Sequence, residues 1–230
     1  MRKVLAILPF VVTEQTLRSH REFLRRDAGG NGSIIHAVAL QNGPRPDQFQ
    51  GEGFRHAIEE TVELVERSQA DFDGIMISCF EDPALAESRQ VSRIPVVGPC
   101  ETAMILVRLS ARPFFIVSPD PGSEAHYRKV AADWGLSDRF NSYECVEVDI
   151  EGASLDEAGV VSKVTSAIES GRRKAPNAIA ILGCTAFGEH ASAIRSRAGG
   201  IVLEPATEGI RMLEMLIDLR SRDHERSRSA

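Results

Sequence analysis

The amino-acid sequence predicts an α/β protein made of two pseudo-symmetric halves, each a parallel sheet covered by helices. Short apolar runs alternate with longer amphipathic segments along the chain, which is the pattern of strand–helix units. Three motifs of the first half also recur, in the same order, roughly a hundred residues later. A duplicated α/β unit explains both observations.

The first half is predicted to alternate four strands with four helices. Thr13 is suited to cap the first helix. Asp82 and Pro83 are expected to supply the N-cap and the first-turn proline of the third helix. The strands are predicted at 3–9, 33–40, 74–78 and 94–98, with helices at 13–26, 52–70, after 83, and from the fourth strand to about 111.

The second half repeats this order. Its strands are predicted at 114–118, 143–150, 178–182 and 200–204, and its helices at 122–134, 154–172, between the last two strands, and at 206–220. The corresponding positions are Pro9 and Pro119, Cys79 and Cys184, and Pro99 and Pro205. The halves are predicted as 1–98 with 206–230, because the final helix is expected to pack back, and 99–205.

Composition excludes several classes of protein. A formal net charge of -6 argues against a nucleic-acid binder, which would carry a basic patch. No apolar run approaches the roughly 20 residues of a membrane helix. The four cysteines have neither the spacing of a zinc site nor the density of a disulfide framework, so we expect a reduced cytoplasmic compartment. The few lysines lie in no motif, which argues against a pyridoxal enzyme.

Two cysteines follow buried strands at matching places, Cys79 in "GIMISCF" and Cys184 in "AIAILGCT". Ligands of parallel sheets bind beyond the carboxyl ends of the strands, so we expect the two thiols to face each other across a cleft between the halves. A thiolate at a helix N-terminus, where the ordinary pKa near 8.5 is lowered, could remove a proton from carbon. The other thiol would deliver a proton from the opposite face.

A structural explanation competes with this one, because free cysteine often fills a core as a small hydrophobe. Burial alone explains two cysteines at equivalent strand ends poorly, so the pair favours chemistry. Cys145 is interpreted as a strand residue, and Cys100 as a packed residue at the start of a helix, with lining of the cleft as the less favoured alternative.

Residues next to the thiols are candidate substrate contacts, each with a structural alternative. Small residues before each thiol would let a ligand approach the backbone. Thr185 could bind a carboxylate or act as an N-cap, Phe80 could line the pocket or fill the core, and Ser118 could contact ligand or make a turn. These candidates are Ser78, Phe80, Ser118, Gly183 and Thr185.

Three charged or titratable residues near the thiols are expected to lie outside the site. Glu81 and Asp82 are expected to point outward as cap residues, because a carboxylate beside a thiol would raise its pKa. His190 is expected to be a solvated helix histidine.

The segments "SCFEDPALAESRQVSRIPVVGPCETAM" and "ILGCTAFG" resemble the aspartate/glutamate/hydantoin racemase superfamily, and most closely its hydantoin and allantoin racemase branch. The similarity runs from the first strand to the final helix. It implies that the family's paired catalytic cysteines correspond to Cys79 and Cys184, and that the active site lies between the two halves. "LPFVVT" replaces the family's Asn-Pro-Asn-Thr run, which puts Pro9 and Phe10 at a substrate-contact position, and Ala186 stands where amino-acid racemases commonly have His.

The resemblance implies a racemase that acts without metal or organic cofactor at a carbon next to a carbonyl. A 5-substituted hydantoin or allantoin is the first expected substrate, and an amino acid such as aspartate or glutamate the second. The superfamily also includes maleate cis–trans isomerases and arylmalonate decarboxylases, the latter needing only the second-half cysteine. Alternatives outside it are a non-catalytic ligand-binding module and, less favoured, a redox protein with a disulfide between the two thiols. The expected partners are a small-molecule substrate and copies of the same chain in a homo-oligomer.

Overall fold

The computed structural model describes residues 1–28, 32–48, 51–149 and 156–228. They form two compact units, the first comprising Met1–Pro99 with Ala206–Ala230 and the second Cys100–Pro205. Each unit contains a four-stranded sheet in which every strand pair is parallel. The predicted α/β class with two duplicated parallel-sheet halves is confirmed.

The first unit has helices on both faces of its sheet. The elements are β1 (Arg2–Leu8), α1 (Glu14–Asp27), β2 (Ser33–Ala39), α2 (Gly51–Ser68), β3 (Gly74–Ile77), α3 (Leu85–Val91), β4 (Val96–Val97) and the final helix α8 (Pro205–Arg228). The strand order is β2-β1-β3-β4. Alternate residues of β1 point to opposite faces, so that Val4 and Ala6 contact α1 and α8 while Leu5 and Ile7 join the cluster formed with α2 and α3.

The second unit repeats the arrangement of the first. Its elements are α4 (Pro99–Ser110), β5 (Phe114–Ser118), α5 (Glu124–Asp133), β6 (Phe140–Cys145), α6 (Glu157–Lys174), β7 (Ile179–Leu182), α7 (Ala191–Ala198) and β8 (Val202–Leu203), with 3₁₀ turns at Pro121–Ser123 and Thr185–His190. The strand order is β6-β5-β7-β8. One face of the sheet is covered by α6 and α7, whose apolar side chains pack against Phe115 and Val117 of β5.

Hydrogen bonds beyond the strands show the duplication residue by residue. The backbone N–H of Ser78 donates to the carbonyl of Ile7 at 2.7 Å, and in the second unit Gly183 donates to Val117 at the same distance. These four residues occupy corresponding positions in the sequence repeat. The repeat is therefore a repeat of backbone geometry at the carboxyl ends of the inner strands.

Thr13 caps α1 as predicted, since its hydroxyl accepts the N–H of Thr16 at 3.1 Å. The predicted cap of the third helix is wrong. Helix α3 starts at Leu85, and its N-cap is Ala84, which has a positive φ of 61° and makes no side-chain cap bond. Asp82 also has a positive φ, of 49°, so the chain makes a left-handed turn there before the helix begins.

The strand predicted at 143–150 is instead β6, Phe140–Cys145, and position 150 lies outside the described residues. Its start was missed because its buried face is partly polar. Ser142 and Glu144 are both buried, and the Ser142 hydroxyl donates to the Glu144 carboxylate at 2.6 Å. Lys174 pairs with the same carboxylate at 2.6 Å. A search for apolar runs passes over such a strand.

Gly171 of α6 lies directly against the ring of Phe115. A methyl group at Gly171 would lie 2.5 to 2.8 Å from the ring carbons. We therefore predict that Gly171→Ala lowers the free energy of unfolding by about 1–3 kcal/mol through overpacking. Helix propensity alone would raise the free energy of unfolding by about 0.5–1 kcal/mol, so the sign of the measured change shows which of the two effects is larger.

Urea denaturation of the purified variant measures this change. Ser162→Ala, at an exposed position of the same helix, is the control and should stay within about 0.5 kcal/mol of the parent. A stabilised Gly171→Ala variant would contradict the close contact.

Candidate active site

Cys79 lies just beyond the carboxyl end of β3, an inner strand of the first sheet. Its N–H donates to the carbonyl of Ile77 at 2.9 Å, and its own carbonyl accepts the N–H of Asp82 at 3.0 Å, which closes a turn. The side chain is 8% exposed. The expected helix N-terminus is absent at this thiol, because α3 begins further along the chain at Leu85.

Cys184 occupies the corresponding place beyond β7, and its carbonyl accepts the N–H of Phe187 at 3.0 Å. This bond and the one from Asp82 to Cys79 join corresponding residues of the two units. Here the turn continues as the 3₁₀ segment Thr185–His190, of which Cys184 is the N-cap residue. Cys184 is half-buried and more open than Cys79. Each unit therefore presents one thiol at the end of an inner strand, at the first residue of a tight turn.

Sequence reasoning missed His20, which lies beneath the Cys79 strand end. His20 belongs to α1, is 3% exposed, and its Nε2 lies 2.9 Å from the Oγ of Ser78. Burial lowers the pKa of His20 from 6.5 to about 4, so the imidazole is neutral at physiological pH. The signal was present in the sequence, because His20 shares the buried face of α1 with Phe23 and Leu24.

Contacts within the protein explain the small residues that precede the thiols. Ser78 has no exposed surface and uses its hydroxyl toward His20. A methyl group at Gly183 would lie 2.5 Å from Cγ2 of Ile116 and 3.1 Å from the carbonyl oxygen of Val117. The close approach of β5 to β7 therefore requires glycine at this position.

The remaining predicted contact residues lie at or just beyond the carboxyl ends of strands in their own sheets. Thr185 is buried and is not the N-cap, since Cys184 holds that position. Ser118 is the last residue of β5 and is buried. Pro9 and Phe80 are buried, and Phe10 and Ala186 are half-buried.

One expectation about a neighbouring residue is wrong. His190 is 6% exposed rather than solvated, and it is the N-cap residue of α7. Glu81 and Asp82 are half-buried. The Asp82 carboxyl lies over Gly98, where a methyl group would come within 2.3 to 2.6 Å of its atoms. Gly98 immediately precedes α4, so the carboxylate stands at the start of α4, where a negative charge is favourable.

None of the four cysteines, all of which lie among the described residues, forms a disulfide bond. Cys100 is buried at the start of α4 and Cys145 is the exposed last residue of β6, as predicted. Burial, followed by the negative charges of Asp120 and Glu147, raises the pKa of the Cys145 thiol. A raised pKa leaves less of Cys145 as thiolate at neutral pH, which makes it a suitable control for the other thiols.

Within the described ranges, no group of three or more His, Cys, Asp or Glu side chains is arranged to hold a metal ion. The helices of those ranges include none that is long and apolar enough to cross a membrane.

Comparisons with known proteins agree with the geometry. A family profile described as Asp/Glu/Hydantoin racemase matches residues 10–213. A hydantoin racemase from Paenarthrobacter aurescens is 27% identical over 191 residues, covering 82% of this chain and 80% of that protein.

Two solved structures share the fold. The allantoin racemase from Klebsiella pneumoniae superposes with a TM-score of 0.84 at 20% identity, covering 95% of this chain and 89% of that one. The allantoin racemase from Pseudomonas fluorescens gives 0.82 at 17% identity, covering 94% and 91%.

The buried neutral His20 predicts a pH dependence of stability. Its folded pKa lies below the unfolded value, so the unfolded chain binds the proton first, and stability falls as pH drops from about 6.5 toward 4. Between pH 7.5 and 5 this group alone should remove about 2 kcal/mol from the free energy of unfolding. His20→Gln, which cannot titrate, should lose less stability than the parent by that amount in urea denaturation at the two pH values. Equal losses in both proteins would show that His20 titrates normally.

Proposed function

The chain belongs to the Asp/Glu/hydantoin racemase family, and on that premise we propose that it racemises a carbon next to a carbonyl with Cys79 and Cys184 as its two acid–base groups. As a member with hydantoin racemase relatives it is an isomerase of the racemase class. The observation that carries the two-thiol assignment is the matched placement of the cysteines. Both follow the inner strand of their sheet, and both start an i→i+3 turn.

The proposed chemistry needs one proton acceptor and one proton donor. One cysteine, as thiolate, removes the α-proton, and the electron pair of the broken C–H bond moves onto the neighbouring carbonyl oxygen. The other cysteine, as thiol, protonates the carbon from the opposite face as that electron pair returns. The two sulfurs then hold exchanged protonation states, ready for the reverse direction. The carbonyl supplies the activation, so the proposal requires no metal or organic cofactor.

A 5-substituted hydantoin or allantoin is the proposed substrate class, supported by the named activities of the similar proteins. The apolar loop after β1 is compatible with a less polar substrate. Phe10 and Val12 are half-buried against the core, and Val11 donates its N–H to the carbonyl of Pro44 at 2.8 Å, which ties this apolar loop down. An amino acid such as aspartate or glutamate is the second candidate, favoured by the Cys184-Thr185 pair that resembles amino-acid racemases. We keep the homo-oligomer and the cytoplasmic compartment as predictions.

Single cysteine substitutions test the two-thiol assignment. We predict that Cys79→Ser and Cys184→Ser each lower kcat for racemisation by roughly 100-fold to 10,000-fold, since a serine hydroxyl is a far weaker acid–base group. The loss should appear without a change in the circular-dichroism spectrum. Cys145→Ser, at the exposed end of β6, should retain the parent rate. Parent activity in either of the first two variants would remove that thiol from the mechanism.

The substrate class is tested by proton NMR in D2O on enantiopure 5-substituted hydantoins, allantoin, aspartate and glutamate. We expect enzyme-dependent loss of the α-proton signal with matching decay of optical rotation for a hydantoin or allantoin. Exchange confined to an amino acid would move the proposal to the second substrate class. Binding without exchange for every compound would favour a ligand-binding module.

A further inference from the structure

We propose that His20 is a positioning residue for Cys79, acting through its hydrogen bond to Ser78. The catalytic consequence rests on the two-thiol function proposed above, while the structural role does not. His20 is not placed against substrate in this assignment. It fixes Ser78, the residue immediately before the turn that carries the Cys79 thiol.

His20 and Ser78 form a buried polar pair. Imidazole and hydroxyl groups lose their hydration on burial, a cost that is recovered only if they bond each other or another group. The Nε2–Oγ distance of 2.9 Å meets that need. His20 also lies beside Phe23, with ring centroids 5.8 Å apart, so the imidazole is packed as well as bonded.

Ser78 is held from two directions. Its N–H donates to the carbonyl of Ile7 at 2.7 Å, which ends the sheet pairing, and its side chain reaches His20. The following turn contains two non-glycine residues with positive φ, Asp82 and Ala84, a conformation that costs free energy and needs support from its surroundings. The bond from His20 supplies such support at the start of the turn, immediately before Cys79.

The corresponding described positions of the second unit carry no such histidine–serine pair. Counted from the N-cap residues Thr13 and Ser123, His20 corresponds to Val130 of α5, and Ser78 corresponds to Gly183. Both polar partners are replaced together, as expected if neither has a use without the other. Gly183 is fixed differently, by its close approach to β5.

The two thiols are therefore held by different means, which predicts an asymmetric response. Loss of the His20 imidazole should loosen the Cys79 turn and leave Cys184 and Cys145 unaffected. A general loss of folding would change all of them together.

The experiment is site-resolved alkylation of the full chain with iodoacetamide, followed by peptide mass spectrometry of each cysteine. In His20→Ala and in Ser78→Ala, Cys79 should react about tenfold faster than in the parent, the size expected when one buried hydrogen bond no longer holds the closed turn. Cys184 and Cys145 serve as internal controls and should keep their parent rates. His20→Gln, whose amide can reach the same hydroxyl, should restore the slow rate at Cys79.

An unchanged Cys79 rate in both alanine variants would overturn the proposal, as would equal acceleration at all the cysteines. If His20→Ala does not fold, Ser78→Ala decides the question alone. These readouts need no turnover, so they stand even if no tested compound is racemised.

The catalytic consequence has its own readout on a compound that the parent racemises. With α-deuterated substrate, His20→Ala should raise the isotope effect for the enantiomer whose proton goes to Cys79 and lower it for the other enantiomer. A purely structural defect would shift both equally, and that result would contradict the assignment to Cys79.

Discussion

The pairing of β1 with β3 in the first unit, and of β5 with β7 in the second, is the constraint on which the rest of the molecule depends. In both units the residue before the cysteine donates its N–H to the strand alongside, Ser78 to Ile7 and Gly183 to Val117. Parallel pairing fixes the register of these strands, and the chain leaves the sheet at the next residue, which is the cysteine. A one-residue slip would turn each thiol to the opposite face of its sheet.

Duplication made two similar strand ends, and later sequence change supported them in different ways. The first unit holds its strand end with a buried imidazole–hydroxyl bond between His20 and Ser78. The second unit holds its strand end by close packing, because a side chain in place of Gly183 would require Ile116 to move. The proposed mechanism requires both thiols in place but does not require them to be equivalent. Different supports let each one be tuned without disturbing the other.

Periodicity and repetition were enough to predict the class, the strand order along the chain and the place of both cysteines, because apolar runs and matched motifs are local signals. They failed where a buried polar side chain finds its partner far away in sequence. His20 and Ser78 are such a pair, and Glu144 on the buried face of β6 likewise pairs with the distant Lys174. The left-handed turn at Asp82 displaced the expected cap, and the Asp82 carboxyl packs over Gly98, a contact that local sequence signals do not reveal.

The most direct test of the two-thiol account is the position of deuterium at early times in D2O, measured by mass spectrometry after chiral separation of one starting enantiomer. Two acid–base groups on opposite faces predict that the product enantiomer carries deuterium at the α-carbon from the first turnovers, while recovered starting enantiomer still carries its proton. Deuterium entering recovered starting material as fast as product, or product that retains the original proton, would mean that a single group serves both faces and would contradict the account.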